Sequence, residues 1–342
     1  MRVLIADVFY LDERGRARGP GFILVKDGRI EVVREGEPVD EEKVVDLIVG
    51  GRGRLAIPGF GLGLIAPETY LFKSTSIYHP GDILGGSIAE HINGLSNKQP
   101  YYLTIATLYE LAMNAFTRVI LVSPHFRQAL DASRESGLDT IVLIPLGCRL
   151  GDNIEPRYID EYFSMNKAPT DVTYGLLICE EKSSTNVETL EASAKLVAYV
   201  DKSYHTIEFT KPFRKKVEIS KGIESSIYAP LSIKGVYPWA MLSGYHTSFN
   251  TTGVFQLLAT EIHKLFEENY QPLKAKSSAH IAIVDISEPP GWIPSKQDIS
   301  ISSLGPTRPR IETLIVGDEV VVDGGEHLLL GRKVFEEAEK IF

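Results

Sequence analysis

Between about residues 60 and 275 the chain alternates continuously apolar runs with helical patterns, and this alternation restricts its fold more than any other feature. The runs VILV (119–122), IVLI (141–144) and YGLLI (174–178) lack the polar alternation of a half-exposed strand. They suit a sheet buried on both faces. Between them lie helical stretches: YYLTIATLYELAMNAF, RQALDASRESGLD with Gly137 at its C-terminal cap, and VFQLLATEIHKLFEENY. NVETLEASAKLVAYV reads as one more helix capped by Asn186, SYHTIEFTK as a strand, and PWAMLSGYHTS as containing a short strand. Roughly six or seven strand–helix units favour a (β/α) TIM-like barrel, complete or incomplete, over an open sheet.

The ends of the chain read differently. RVLIADVFY, GFILVKDGRIEVVREG and VVDLIVGGRGRLAIPGF are strand-like, and Asp27-Gly28 signals a two-residue hairpin. SSAHIAIVDIS and RIETLIVGDEVVVDGGE repeat the style near the C-terminus, with a turn at Gly317-Asp318 and a short amphipathic helix in GRKVFEEAEKIF. Two separate β modules would satisfy this pattern. One β-sandwich drawn from both ends satisfies it better, because neither half alone covers a sheet face. The domain expectation is therefore a composite β domain from 1–57 and 276–342, with a barrel over 58–275.

Composition narrows the function. Asp plus Glu total 45 against 36 Lys plus Arg, and a net charge of −9 argues against a nucleic-acid partner. No apolar run reaches membrane-spanning length, and Asp7 interrupts the N-terminal apolar stretch, so neither a membrane segment nor a signal peptide is expected. The two cysteines, Cys148 and Cys179, make no disulfide framework, which points to a reducing, cytoplasmic setting.

Several segments together resemble the amidohydrolase superfamily, in particular its chlorohydrolase and aminohydrolase branch with guanine deaminase and its relatives. They are the KDGRI hairpin, the Gly-rich approach to IPGF about 25 residues later, and the closing stretch from AHIAIVD through RIETLIVGDEVVVDGGE. LYELAMNAFTRVI, ALDASRESGLDTIVLIP and YAPLSIKGVYPWAMLSGYHTS match more loosely in between, and His280 stands where the family has an acidic residue. The resemblance implies a barrel with a β-sandwich from both termini, one or two divalent metals at the barrel mouth, and a homodimer. It places the family's first two metal ligands, a His-x-His, at Leu64 and Ala66, and its proton-handling Asp at His246. His205 or Glu208 would lie near the third ligand, and 211–228 offers no histidine for the fourth.

Leucine and alanine supply no donor to a metal. The expectation is thus a degenerate member without the usual metal-dependent hydrolysis, acting as a small-molecule-binding or partner subunit. No cofactor is expected, and zinc or another divalent metal only if ligands have been recruited elsewhere. The alternative is an active hydrolase on C–N bonds of a small, cyclic substrate through a rebuilt mouth. His125, Cys179, Glu180, His205 and His246 are the catalytic candidates, with Cys148, Glu181 and Glu208 nearby. Against each stands a plainer role as loop, cap or core residue. GFGLG (59–63) reads as a tight backbone passage, GDILGGSIAEHINGLSNKQP as a long loop over the mouth, and TKPFRKKVE as a solvated basic face with Lys211, Arg214, Lys215 and Lys216. Trp239 and Trp292 are expected to pack.

Overall fold

The computed structural model describes the chain apart from residues 75–79, 97, 166–172, 180–184, 203, 205, 212–214, 219–230, 233–235, 237, 243–250, 294–298 and 342. Among the described residues there are fifteen strands: β1 (Arg2–Leu11), β2 (Ala17–Lys26), β3 (Arg29–Glu35), β4 (Leu47–Pro58), β5 (Phe60–Ile65), β6 (Phe116–Val122), β7 (Asp139–Leu146), β8 (Thr173–Ile178), β9 (Leu196–Val200), β10 (Thr206–Lys211), β11 (Lys215–Glu218), β12 (His280–Asp285), β13 (Ile311–Val316), β14 (Glu319–Asp323) and β15 (Glu326–His327). They form two sheets. The chain divides into two compact units, one made of 1–61, 109–118 and 237–329, the other of 62–108, 119–236 and 330–342.

In the first unit, eight strands form one sheet in the order β15-β14-β13-β12-β4-β1-β2-β3. The β2–β3 hairpin turns where expected: Asp27 (φ 48°) and Gly28 (φ 74°) are both left-handed, as the tight twist-matching turn requires. Gly317 (φ 62°) turns β13 into β14. The two chain ends meet at β4 and β12, which pair antiparallel with Ile281 opposite Pro58 and Ile283 opposite Ala56. Arg54 on β4 reinforces the seam, with its guanidinium 3.0 Å from Asp285, donating to Ser287 Oγ at 3.1 Å, and paired with Glu312. Both faces of this sheet bury apolar side chains. Val3, Ile5, Ile23 and Ile281 lie in one cluster; Leu4, Phe22 and Leu24 lie in another. That is why RVLI and FILV carry no polar alternation.

The same unit holds a buried polar cluster. Arg118 donates to the carbonyl of His263 at 3.1 Å and to Ser278 Oγ at 3.0 Å, and lies 3.6 Å from Glu267. Its guanidinium also sits over the rings of Phe266 and Tyr270. His263 stacks on Tyr270 at 4.3 Å and shares a hydrogen bond with the Gly59 carbonyl at 2.9 Å. Burial, then the Arg118 charge, hold both His263 and His280 well below the usual histidine range, so both are neutral.

The second sheet runs β11-β10-β9-β8-β7-β6-β5. β7, β8 and β9 are parallel, and β10 and β11 add antiparallel. On the other edge of β5, Leu231 makes a parallel bridge to Ile65. GFGLG is the tight passage expected: a side chain at Gly59 would meet Thr117 Cγ2 at 2.3 Å, and Trp239 packs edge-on to Phe60 at 5.5 Å.

Three local readings are corrected. The helix from Thr185 ends at Ser193, and LVAYV becomes β9, because this Val-rich run pairs with β8. PWAML is a helix, Pro238–Leu242, opened by a proline whose missing N–H costs nothing there, and the rest of the segment in which a short strand was expected lies outside the described residues. The stretch expected as a loop over the mouth contains two helices, Pro80–Leu84 and Ser87–Asn93; the second buries Ile88, Ala89 and Ile92 along one face. Trp292 does not pack; it is 55% exposed. Lys211 of the basic run donates to the carbonyls of Glu191 and Ala192, the last turn of the preceding helix, where a cation is favoured. Arg214 lies outside the described residues, and Lys215 and Lys216 open β11.

Candidate functional site

The ends of β5, β6, β7 and β8 carry the residues to which the sequence drew attention. Leu64 and Ala66 are fully buried at the end of β5. Their backbones are committed to Leu231: the Leu231 N–H donates to the Leu64 carbonyl, and the Ala66 N–H to the Leu231 carbonyl, both at 2.9 Å. Neither side chain has an atom that could ligate a metal. Among the described residues, no three His, Cys, Asp or Glu side chains are grouped to hold one. The two positions therefore do not fit the divalent metal that the resemblance implies.

Two residues beyond Ala66 the structure places a group that the sequence reading missed. Glu68 lies in the short 3-10 turn Pro67–Phe72 and has 0% exposure. The turn is pegged by Thr69 Oγ1, which donates to the Ala66 carbonyl at 2.6 Å, and by Thr107 Oγ1, which donates to the Pro67 carbonyl at 3.1 Å. Glu68 Oε1 accepts a short hydrogen bond from the hydroxyl of Ser123, the first residue after β6. Glu68 Oε2 is buried and has no hydrogen-bond partner among the described residues. Burial pushes the Glu68 carboxyl up to about 7, against the opposing pull of the Ser123 hydroxyl and the residue's own N–H. At neutral pH this carboxyl is poised between its acid and its anion. Its only signal in the sequence was a lone acidic residue directly after a wholly apolar strand, in IAPET.

His125 joins the same local network. Its backbone N–H donates to Ser123 Oγ at 3.0 Å, and its Nε2 lies 2.8 Å from the Ile92 carbonyl. A carbonyl partner fixes Nε2 as the protonated nitrogen. Burial lowers the pKa of His125, and its position is the N-terminal cap of the helix Phe126–Ser136.

Cys179 and Cys148 stand next to one another. They form a disulfide, with Cα atoms 5.0 Å apart, so the expected free thiol of Cys179 is corrected. The cause is register: Leu146 pairs with Ile178 at the ends of parallel β7 and β8, which brings the following loop residues within bridging distance. Glu180, Glu181, His205 and His246 lie outside the described residues. Glu208 is on β10, opposite Tyr199 of β9 and Lys216 of β11.

No protein-family model matches the sequence. No curated protein matches it significantly. Solved structures do match its fold. A triazine hydrolase variant superposes over 99% of both chains with a TM-score of 0.70 at 11% identity. The atrazine chlorohydrolase of Arthrobacter aurescens TC1, complexed with zinc, covers 99% of both chains at a TM-score of 0.63 and 12% identity. An adenosine deaminase of Xanthomonas campestris with bound zinc covers 99% of this chain and 97% of its own, at 0.66 and 10%. An amidohydrolase from a Sargasso Sea sample covers 100% and 98%, at 0.62 and 10%. Identity this low speaks to architecture alone, and what it establishes is that the chain has the fold of the amidohydrolases, a TIM-like barrel with a β domain built from the chain termini.

Proposed function

We propose that this protein is an amidohydrolase-fold chain that has given up metal-dependent hydrolysis and uses its strand-end rim to bind a small molecule. The observation that carries the reading is the pair Leu64 and Ala66, both buried and both without a donor atom, at the positions where the family resemblance places the first two metal ligands. Similar folds named as zinc complexes, such as the chlorohydrolase and the deaminase, give the contrast. A zinc ion needs three or four nitrogen, sulfur or carboxylate ligands, and losing two from one strand leaves too few.

Glu68 favours a second reading. A buried carboxyl poised near neutrality, hydrogen-bonded to a serine just beyond the neighbouring strand, suits general acid–base work on a C–N bond without a metal.

Both readings meet one experiment. Protein purified without chelator is assayed for metal content, then for turnover of cyclic amides and amino-substituted heterocycles, with and without added zinc or manganese. The first reading expects metal well below one per chain and no turnover under either condition. Turnover that needs no metal and disappears in Glu68→Gln would establish the second. Near-stoichiometric metal with metal-dependent turnover would overturn both.

A further inference from the structure

We propose that Cys148 and Cys179 form a thiol–disulfide exchange site whose oxidation state sets how firmly the helix pair Pro80–Leu84 and Ser87–Asn93 is held at the strand-end rim. The bond joins the loops that follow β7 and β8. Its two sulfurs are not equally accessible. Cys148 is buried, whereas Cys179 is partly exposed, so an incoming thiolate approaches from the Cys179 side.

What hangs from Cys148 gives the bond its reach. The next residues are hydrogen-bonded to the helix pair rather than to their own strand. The Leu150 N–H donates to the Leu84 carbonyl at 3.0 Å, and the Gly151 N–H donates to Asn93 Oδ1 at 2.8 Å. Asn93 Nδ2 returns a bond to the Arg149 carbonyl at 2.7 Å, and the Arg149 guanidinium pairs with Glu90. One residue before Asn93, the Ile92 carbonyl accepts from His125, which is hydrogen-bonded in turn to Ser123, the partner of Glu68. A continuous set of contacts thus runs from the disulfide through the two helices to the buried carboxyl. The covalent bond fixes one end of it.

The exchange needs a dithiol as reductant. One thiolate of the reductant attacks Cys179 Sγ, the S–S bond breaks, and its electron pair leaves on Cys148 Sγ, which takes up a proton. The second thiol of the reductant then attacks the mixed disulfide. Cys179 leaves as a thiolate and is protonated, and the reductant departs as its own disulfide. Two electrons and two protons pass to the protein, and the loop after β7 loses its covalent tie to β8. This proposal does not depend on which reading of the rim's function is correct.

The test compares oxidised full-length protein with the same protein treated with dithiothreitol under native conditions. Free thiols are counted by iodoacetamide labelling and intact mass, and backbone order by amide hydrogen exchange. The expected result is no labelling before reduction and two labels after it. Exchange in 80–94 and 147–154 should then rise about fivefold or more, while 1–35 and 311–323 stay unchanged. The double variant Cys148→Ser/Cys179→Ser should show the raised exchange with no reductant. The dithiol arm uses the native chain and stands whether or not that variant folds. Two labels before reduction, a disulfide that resists native reduction, or reduction with unchanged exchange in 80–94 would each overturn the proposal.

Discussion

Glu68 is the residue on which most turns. Its folded pKa, about 7, lies above the ordinary carboxylate value, so the folded state holds a proton that the unfolded chain releases. The stabilisation is complete below the unfolded pKa and is lost as pH rises from about 4.5 to about 7, amounting to roughly 3 kcal/mol once the carboxyl is fully ionised. Glu68→Gln keeps an acceptor for Ser123 and cannot ionise. Urea unfolding at pH 5 and pH 8 should find the variant within about 1 kcal/mol of the parent at pH 5 and more stable by about 1–3 kcal/mol at pH 8. Equal stability at both values would remove the poised carboxyl. Little in the residue pattern around Glu68 marked it out. Leu64 and Ala66 stood out because a motif predicts what belongs there, whereas Glu68 acquires its character only from the Ser123 hydroxyl just after the next strand and from complete burial. Cys148 and Cys179 were visible as residues and invisible as a pair, because only the adjacency of β7 and β8 joins them.

At the scale of elements, local chemistry decided what could be read. Asp27-Gly28 announced its hairpin because the turn needs two left-handed residues and these two tolerate it. The boundary between the helix Thr185–Ser193 and β9 was hidden, since helix-favouring Ala194 and Lys195 run straight into the strand. The two helices after residue 80 were missed for a related reason: four glycines between Gly81 and Gly94 outweighed the apolar spacing of Ile88, Ala89 and Ile92. Close packing between elements is also testable. Gly59→Ala drives a methyl into Thr117, whose Oγ1 and Cγ2 would lie 2.5 and 2.3 Å away. The expected cost is about 1–3 kcal/mol by chemical denaturation, as for other overpacked sites. Thr117→Ala removes both clashing atoms, so the double variant should recover part of that loss. A Gly59→Ala chain as stable as the parent would mean that the passage between β4 and β5 is looser than described.

For the whole molecule, buried histidines oppose Glu68. His263 and His280 are held well below the usual range and His327 at about 4, in each case chiefly by burial. The unfolded chain binds protons at these sites that the folded chain does not, so stability is full above about 6.5 and is lost as pH falls below it. Several histidines against one carboxyl give a net fall toward acid of up to about 1.4 kcal/mol per pH unit for each excess proton. Urea midpoints measured from pH 7 to pH 4.5 should decline, and more steeply in Glu68→Gln. A flat profile in the parent would mean that these histidines titrate normally. The general architecture was legible because strand–helix alternation and turn chemistry are local signals. The direction of β10 and β11 was not, because their antiparallel placement depends on pairing across the sheet. The seam between β4 and β12 also sets a timetable. Arg54 and its partner Ser287 are 233 residues apart in sequence. At about 5–20 residues per second, a ribosome needs on the order of 10–50 s to deliver the second after the first. Throughout that interval β4 presents an unpaired apolar edge, open to another nascent chain or to a chaperone, so the birth of this protein includes a waiting period that its finished form conceals.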